Sequence, residues 1–280
     1  MYGFASAEKD GWGATITVGA FGVAAVLLAT FVAVESRTAA PLLPLRVVTD
    51  RNRGGVYLGI GLAMTAMFAM FLFMALYLQQ VKGYSPLLTG VAFLPMTICL
   101  TLGSTQIGAR LMSRLPARRL MVPGLLATAF ALVLLAQLGP DTPYWALVLP
   151  AQVILGIGLG TAFTPAMSLA THGVQPSDAG IASAMLNTAQ QVGGSIGTAL
   201  LNTLAASATS AYVLANAASG DAAEVARQAA THGYTTAFWW AAGFVGLAAA
   251  VIAAAVRTER PDSTDVTDSA DEALTPALVR

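Results

Sequence analysis

The chain has 280 residues, 56% of them hydrophobic and only 10% charged, with a mean hydropathy of +0.69. Soluble domains carry about 25% charged residues, so the composition describes a polytopic membrane protein and excludes a water-soluble domain. Basic and acidic residues balance at 14 each, which gives no reason to expect a nucleic-acid partner.

The charges divide the chain into seven uncharged windows, at 11–34, 54–81, 83–109, 120–140, 142–177, 179–220 and 228–256. A membrane-spanning helix needs about 20 apolar residues, so each window predicts one helix and the fold class is an all-α membrane protein with seven transmembrane helices. Placing the loop after the first helix in the cytoplasm collects 11 of the 14 Lys and Arg on that side. The positive-inside rule then orients the chain with its N-terminus out and its C-terminus in. Residues 1–13 form an extracellular segment without the basic start of a signal peptide. An N-out first helix with no helix before it suggests part of a larger protein. The single cysteine, Cys99, lies in an apolar run and reads as a small packing residue.

The first helix, 14–34, is evenly apolar, the pattern of a lipid-facing helix, and Glu35 and Arg37 stop it. Residues 38–53, with two prolines and a basic end, read as an amphipathic linker on the cytoplasmic surface. The second helix, about 55–80, carries Met64, Met67, Met70 and Met74 at helical spacing, with Phe68 and Phe71 beside them. Such a stripe suits the adaptable wall of a multispecific cavity, or ordinary packing. The third helix, about 87–110, has a polar face of Thr97, Thr101, Ser104, Thr105 and Gln106 and a kink candidate in Pro95. GARLMSRLPARR follows, a short loop with four arginines that serves at least as a positive-inside anchor.

The fourth helix, about 120–138, is nearly all apolar. The fifth, about 145–168, places Gln152, Gly156, Gly160, Thr164 and Ser168 at every fourth position. Its GIGLG lies inside a span without a preceding strand or a following lysine, so it reads as a close helix contact rather than a nucleotide loop. The sixth helix, within AGIASAMLNTAQQVGGSIGTALLNTLAA (179–206), has a stripe of Ser183, Asn187, Gln190, Gln191, Gly194, Thr198 and Asn202. Unpaired amides in hydrocarbon cost roughly 2–7 kcal/mol, so this stripe must face other helices or a wet cavity. Residues 207–233 read as an external loop with a surface helix near 221–230, and the seventh helix occupies about 235–256. The acidic tail, 257–280, reads as disordered and cytoplasmic. Without the first helix, six remain as two triplets of opposite orientation, the arrangement of inverted repeats in transporters.

YLQQVKGYSPLLTGVAFLP, GARLMSRLPARRL, ILGIGLGTAFTP and GIASAMLNTAQQVGGSIGTALLNT closely resemble the C-terminal half of the fourteen-helix drug:proton antiporters of the major facilitator superfamily. Residues 11–47 resemble that family at the second of its two extra central helices and the linker after it. The resemblance implies an extra central helix at 14–37, a cytoplasmic linker at 38–53 and a six-helix C-terminal bundle at 54–256, a 3+3 inverted repeat. It implies that the first, second, fourth and fifth helices of the bundle line a central cavity. Met67, Phe71, Thr101, Gln152, Asn187, Gln190 and Gln191 are then the substrate-facing candidates, with Gly193, Gly194 and Gly197 on the packing side. Gly108, Leu111, Arg114, Arg118 and Arg119 fit the superfamily's cytoplasmic loop motif, whereas Ser113 replaces its usual acid and Pro116 a common glycine.

The same resemblance implies export of small lipophilic or cationic drugs across the cell membrane by proton antiport when the chain is joined to an N-terminal bundle, with the lipid bilayer, a drug-like substrate and the proton as coupling ion for partners. No cofactor or metal site is implied. About half of a family member is missing, and the helices hold no Asp or Glu at membrane depth to carry a proton. The chain therefore reads as a gene piece, a mis-called start or one half of a split transporter that works with a separate N-terminal half. The alternative is an accessory subunit or inactive fragment. A seven-helix retinal receptor is excluded because both lysines, Lys9 and Lys82, lie in loops. An intramembrane enzyme is disfavoured because His172 and His232 are both expected in loops.

Overall fold

A helix in hydrocarbon satisfies every backbone group internally, and seven stretches of this chain take that solution. The computed structural model describes residues 2–3, 6, 11, 13–38, 50–171, 178–217 and 221–256. Among the described residues, seven helices are long and apolar enough to cross a membrane: α1 (Thr15–Glu35), α2 (Arg51–Val81), α3 (Pro86–Met112), α4 (Ala117–Leu135), α5 (Tyr144–Ala170), α6 (Ala179–Asn216) and α7 (Ala222–Ala255). No strand occurs among the described residues. Most of the expected 1–13 segment, of the 38–53 linker and of the turn after α5, His172 included, lies outside the described residues, as does the whole 257–280 tail.

The starts are set by local chemistry. Asp50 accepts a hydrogen bond from the Arg53 N–H at 2.9 Å and caps α2. Ser85 accepts from the Leu88 N–H at 3.2 Å, and Pro86 occupies the first turn of α3. Asp221 accepts from the Ala223 N–H at 3.1 Å to open α7. The helix path of α3 breaks at Phe93, between Pro86–Ala92 and Leu94–Leu102, where Pro95 cannot donate to the preceding turn. Short π-helical stretches occur at Tyr77–Val81, Gly103–Gly108 and Tyr144–Val148.

Helix α2 is the axis of the bundle and packs against both α6 and α7, while α4 joins α5 to α7, and α3 lies along α5. Val56, Ala66, Met70, Phe73, Met74 and Tyr77 of α2 are all buried. Gly193 and Gly197 bring α6 onto the backbone of α2: an added Cβ on either would run into Gly61 or Thr65. The Thr65 hydroxyl donates to the Gly193 carbonyl at 2.9 Å across this contact. Gly156, Gly158 and Gly160 do the same for α5 against α3 and α4, as the close-packing reading of GIGLG requires. Helix α1 buries only Thr17 and Glu35 and stands apart from the other six in its packing.

The expected external loop at 207–233 does not form, and the expected surface helix is the first turns of α7. Helix α6 runs on to Asn216, and α7 begins at Ala222. The 38 residues of α6 span about 57 Å at 1.5 Å per residue, well beyond a hydrocarbon core of about 30 Å. Its polar end stays helical because α7 covers it: the Tyr212 hydroxyl donates to Gln228 Oε1 at 2.9 Å, and Gly233 seats against Ala205 and Thr209. His232 is accordingly a helical residue, its ring 5.3 Å from that of Tyr212.

Candidate functional site

Residues at i, i+3, i+4 and i+7 share a helix face, and on α2 that spacing gathers Met64, Met67, Phe68 and Phe71. They line a cavity of about 580 Å³ that α3 completes with Leu100, α5 with Leu159 and Phe163, and α6 with Gln190. Its size falls within the range of small-molecule sites. Helices α4 and α7 contribute nothing to the wall. Among the described residues, none of the lining side chains is charged, and Gln190 is the one amide.

The wall is positioned by the glycine contact described above. Gly194, one turn from Gln190, leaves room for the Phe68 ring, whose Cδ2 would lie 2.8 Å from an added Cβ. Gly193 and Gly197 lock the same face of α6 to α2, so Gln190 meets the cavity edge. At the other end of the α2 face, Phe71 packs against Phe93 of α3, with ring centroids 5.3 Å apart and planes at 36°.

Of the substrate-facing candidates, Met67, Phe71 and Gln190 come together on the wall of this cavity. Asn187 and Gln191 do not join them: both are exposed on the face of α6 turned away from α2. Thr101 is exposed on α3 and donates to the Thr97 carbonyl at 3.0 Å. Gln152 is fully buried, at 0% exposure, away from the cavity wall, and neither its amide nitrogen nor its oxygen has a hydrogen-bond partner. The Met stripe divides, with Met64 and Met67 on the cavity and Met70 and Met74 in the core. Leu100, Leu159 and Phe163 were not foreseen. Leu159 and Phe163, four apart on α5, carried the apolar spacing that identifies them.

The expected loop at 108–119 shrinks to residues 113–116, with Arg110 in α3 and Arg118 and Arg119 in the first turn of α4. Gly108 ends the π-helical stretch and is buried, with Thr164 3.2 Å from where its Cβ would be. Arg114 and Arg119 are exposed and Arg118 is half-buried. None of these three arginines forms an ion pair among the described residues. A polar pocket of about 390 Å³ lies near the far end of α4, between Asp141 and the α6–α7 extension. There Arg227 donates to Asp141 at 2.8 Å and to Glu224 at 3.0 Å. Tyr77 donates to the Gly139 carbonyl at 2.8 Å and Lys82 to that of Pro140 at 3.3 Å. The hydrogen bond and then the charge of Arg227 hold the Asp141 carboxyl below its ordinary value of 3.8.

Residues 5–198 match the model of a family described as the Major Facilitator Superfamily. The puromycin resistance protein pur8 of Streptomyces alboniger is 45% identical over 282 residues, covering 100% of this chain and 55% of that protein. The cephamycin export protein CmcT of Amycolatopsis lactamdurans is 33% identical over 258 residues, 91% of this chain and 49% of its own length. The tetracenomycin C resistance and export protein of Streptomyces glaucescens is 32% identical over 213 residues, 74% of this chain and 38% of that protein. The chain spans about half the length of the first two.

Proposed function

The chain belongs to the Major Facilitator Superfamily, a family of membrane transporters and not of enzymes, and on that premise we propose that it forms the C-terminal half of a fourteen-helix drug exporter. In this reading α1 is the extra central helix, and α2–α7 are the six-helix bundle of two inverted triplets, N-terminus out and C-terminus in, in the cell membrane. The bundle rocks against an N-terminal half to give alternating access.

The observation that carries the proposal is the 580 Å³ cavity walled by thioethers and aromatic rings with one amide, in a chain similar to antibiotic resistance and export proteins. Soft, polarisable walls accept differently shaped apolar molecules, so the substrates are small lipophilic or cationic drugs. Among the described residues no acid lines the cavity. Proton antiport needs a titratable group at membrane depth, and the N-terminal half supplies it. The exposed amides Asn187 and Gln191, with Thr101, face that half. The arginines of the α3–α4 corner anchor the cytoplasmic end.

The test is export of a lipophilic cationic dye from cells that make this chain with or without a matching N-terminal half. The pair exports and the chain alone does not. Full export by the chain alone would overturn its role as a half. No export by the pair, with both proteins in the membrane, would favour an accessory subunit. Met67→Trp fills the cavity and is expected to cut export by the pair at least fivefold, without loss of protein from the membrane.

A further inference from the structure

A fully buried amide with no partner is costly, by roughly 1–3 kcal/mol, and Gln152 is such a group. Its neighbours follow from the register of α3 and α5. The Ser104 and Thr164 hydroxyls meet at 2.7 Å, 60 positions apart. Met96 meets Gly156, and Leu100 meets Gly160, at the same offset. One turn further along, the same offset points Gln152 toward the helix break at Phe93, where the freed Ala92 carbonyl accepts from the Tyr144 hydroxyl at 2.7 Å. Phe93 in turn stacks on Phe71, which lines the cavity.

We infer that Gln152 is a latent hydrogen-bonding residue of the cavity, screened by the Phe71–Phe93 ring pair in this conformation and reached by a substrate's polar group when the rings part. The ligand class is an aromatic or aliphatic body carrying one neutral hydroxyl, carbonyl or amide. The body lies among Met64, Met67, Phe68 and Phe163, and the polar group pairs with the Gln152 amide. Phe93 sits at a break in α3, with Pro95 two residues on, where a ring can swing without loss of a continuous helix. The inference rests on the cavity reading proposed above and adds to it a second amide and the screen that hides it.

The test uses the purified full-length chain and two fluorescent probes that differ by one hydroxyl, methylpyrene and pyrenylmethanol. In the Phe93→Ala variant the screen is gone, and pyrenylmethanol is expected to gain about fivefold in affinity over methylpyrene, the size of one neutral hydrogen bond. Adding Gln152→Leu removes that preference. A preference that survives Gln152→Leu, or never appears in Phe93→Ala, overturns the inference while the cavity stands. Failure of both probes to bind overturns the cavity reading and the inference together. A second measurement is independent of ligand. With Cys99→Ser as background, Gln152→Cys reacts with a small maleimide slowly, and at least tenfold faster once Phe93→Ala is added. Equal rates in the two backgrounds overturn the screen.

Discussion

Gln190 and Gln191 are adjacent in sequence and differ in surroundings: one borders an apolar cavity and the other is exposed. The difference is the 100° between successive residues of a helix, combined with the glycine face that fixes which side of α6 meets α2. Gly193 and Gly197 leave no room for a side chain, so Gly197→Val is expected to destabilise the bundle by about 1–3 kcal/mol or more. The measurement is the melting midpoint of the detergent-purified chain, and an unchanged midpoint contradicts the contact. Gln152→Leu should act in the opposite direction, raising the midpoint by removing an unpaired amide, worth roughly 1–3 kcal/mol. At this scale the sequence was half legible. Period and residue type marked Met67, Phe71 and Gln190. Leu159 and Phe163 bear no polar mark, because a cavity for apolar molecules is mostly apolar.

Helix existence was legible and one set of helix ends was not. All seven uncharged windows became helices, since charge-free length in a membrane chain has few other outcomes. The stretch 207–216 was misassigned because low hydropathy argues only against lipid contact. It says nothing of a second helix, and α7 covers this end of α6 through Tyr212, Gln228 and Gly233. Backbone amides of 207–216 are therefore expected to be strongly protected in hydrogen exchange. Rapid exchange there would restore the loop. The ion pair of Asp141 with Arg227 ties the α4–α5 turn to this extension. Because the folded-state value of Asp141 is depressed below 3.8, the pair contributes above that pH and is lost as pH falls through the depressed value. Near neutrality it is insensitive to pH. The acid-side loss of melting midpoint should shrink in Arg227→Gln, and an identical acid profile would refute the assignment.

For the whole molecule, burial is uneven in an informative way. Helices α2, α5 and α7 bury large parts of their surface, whereas α3 and α6 leave theirs mostly open. Asn187, Gln191 and Thr101 lie on that open side. A half that docks with another should change there first. In a Cys99→Ser background, Asn187→Cys is expected to react readily with a maleimide in the chain alone, and at least tenfold more slowly when the matching N-terminal half is co-expressed. Unchanged labelling in the assembled pair contradicts this face as the interface. That six helices form a bundle was readable from alternating polar and apolar helices. Which of them pair was not, because α2 touches α6 and α7 through glycines and alanines far away in sequence, and such contacts leave no local periodic mark.

The small-residue seam between α3 and α5 repeats every four residues, through Gly156, Gly160 and Thr164. A slide by four residues, about 6 Å along the axis, would set one glycine where the other had been. The seam nevertheless fits at one setting, because the same slide brings Thr164 or Gln152, each with a Cβ, against backbone that only a glycine now clears. The hydrogen bond between the Ser104 and Thr164 hydroxyls is a pin that reads the absolute position of one rod against the other.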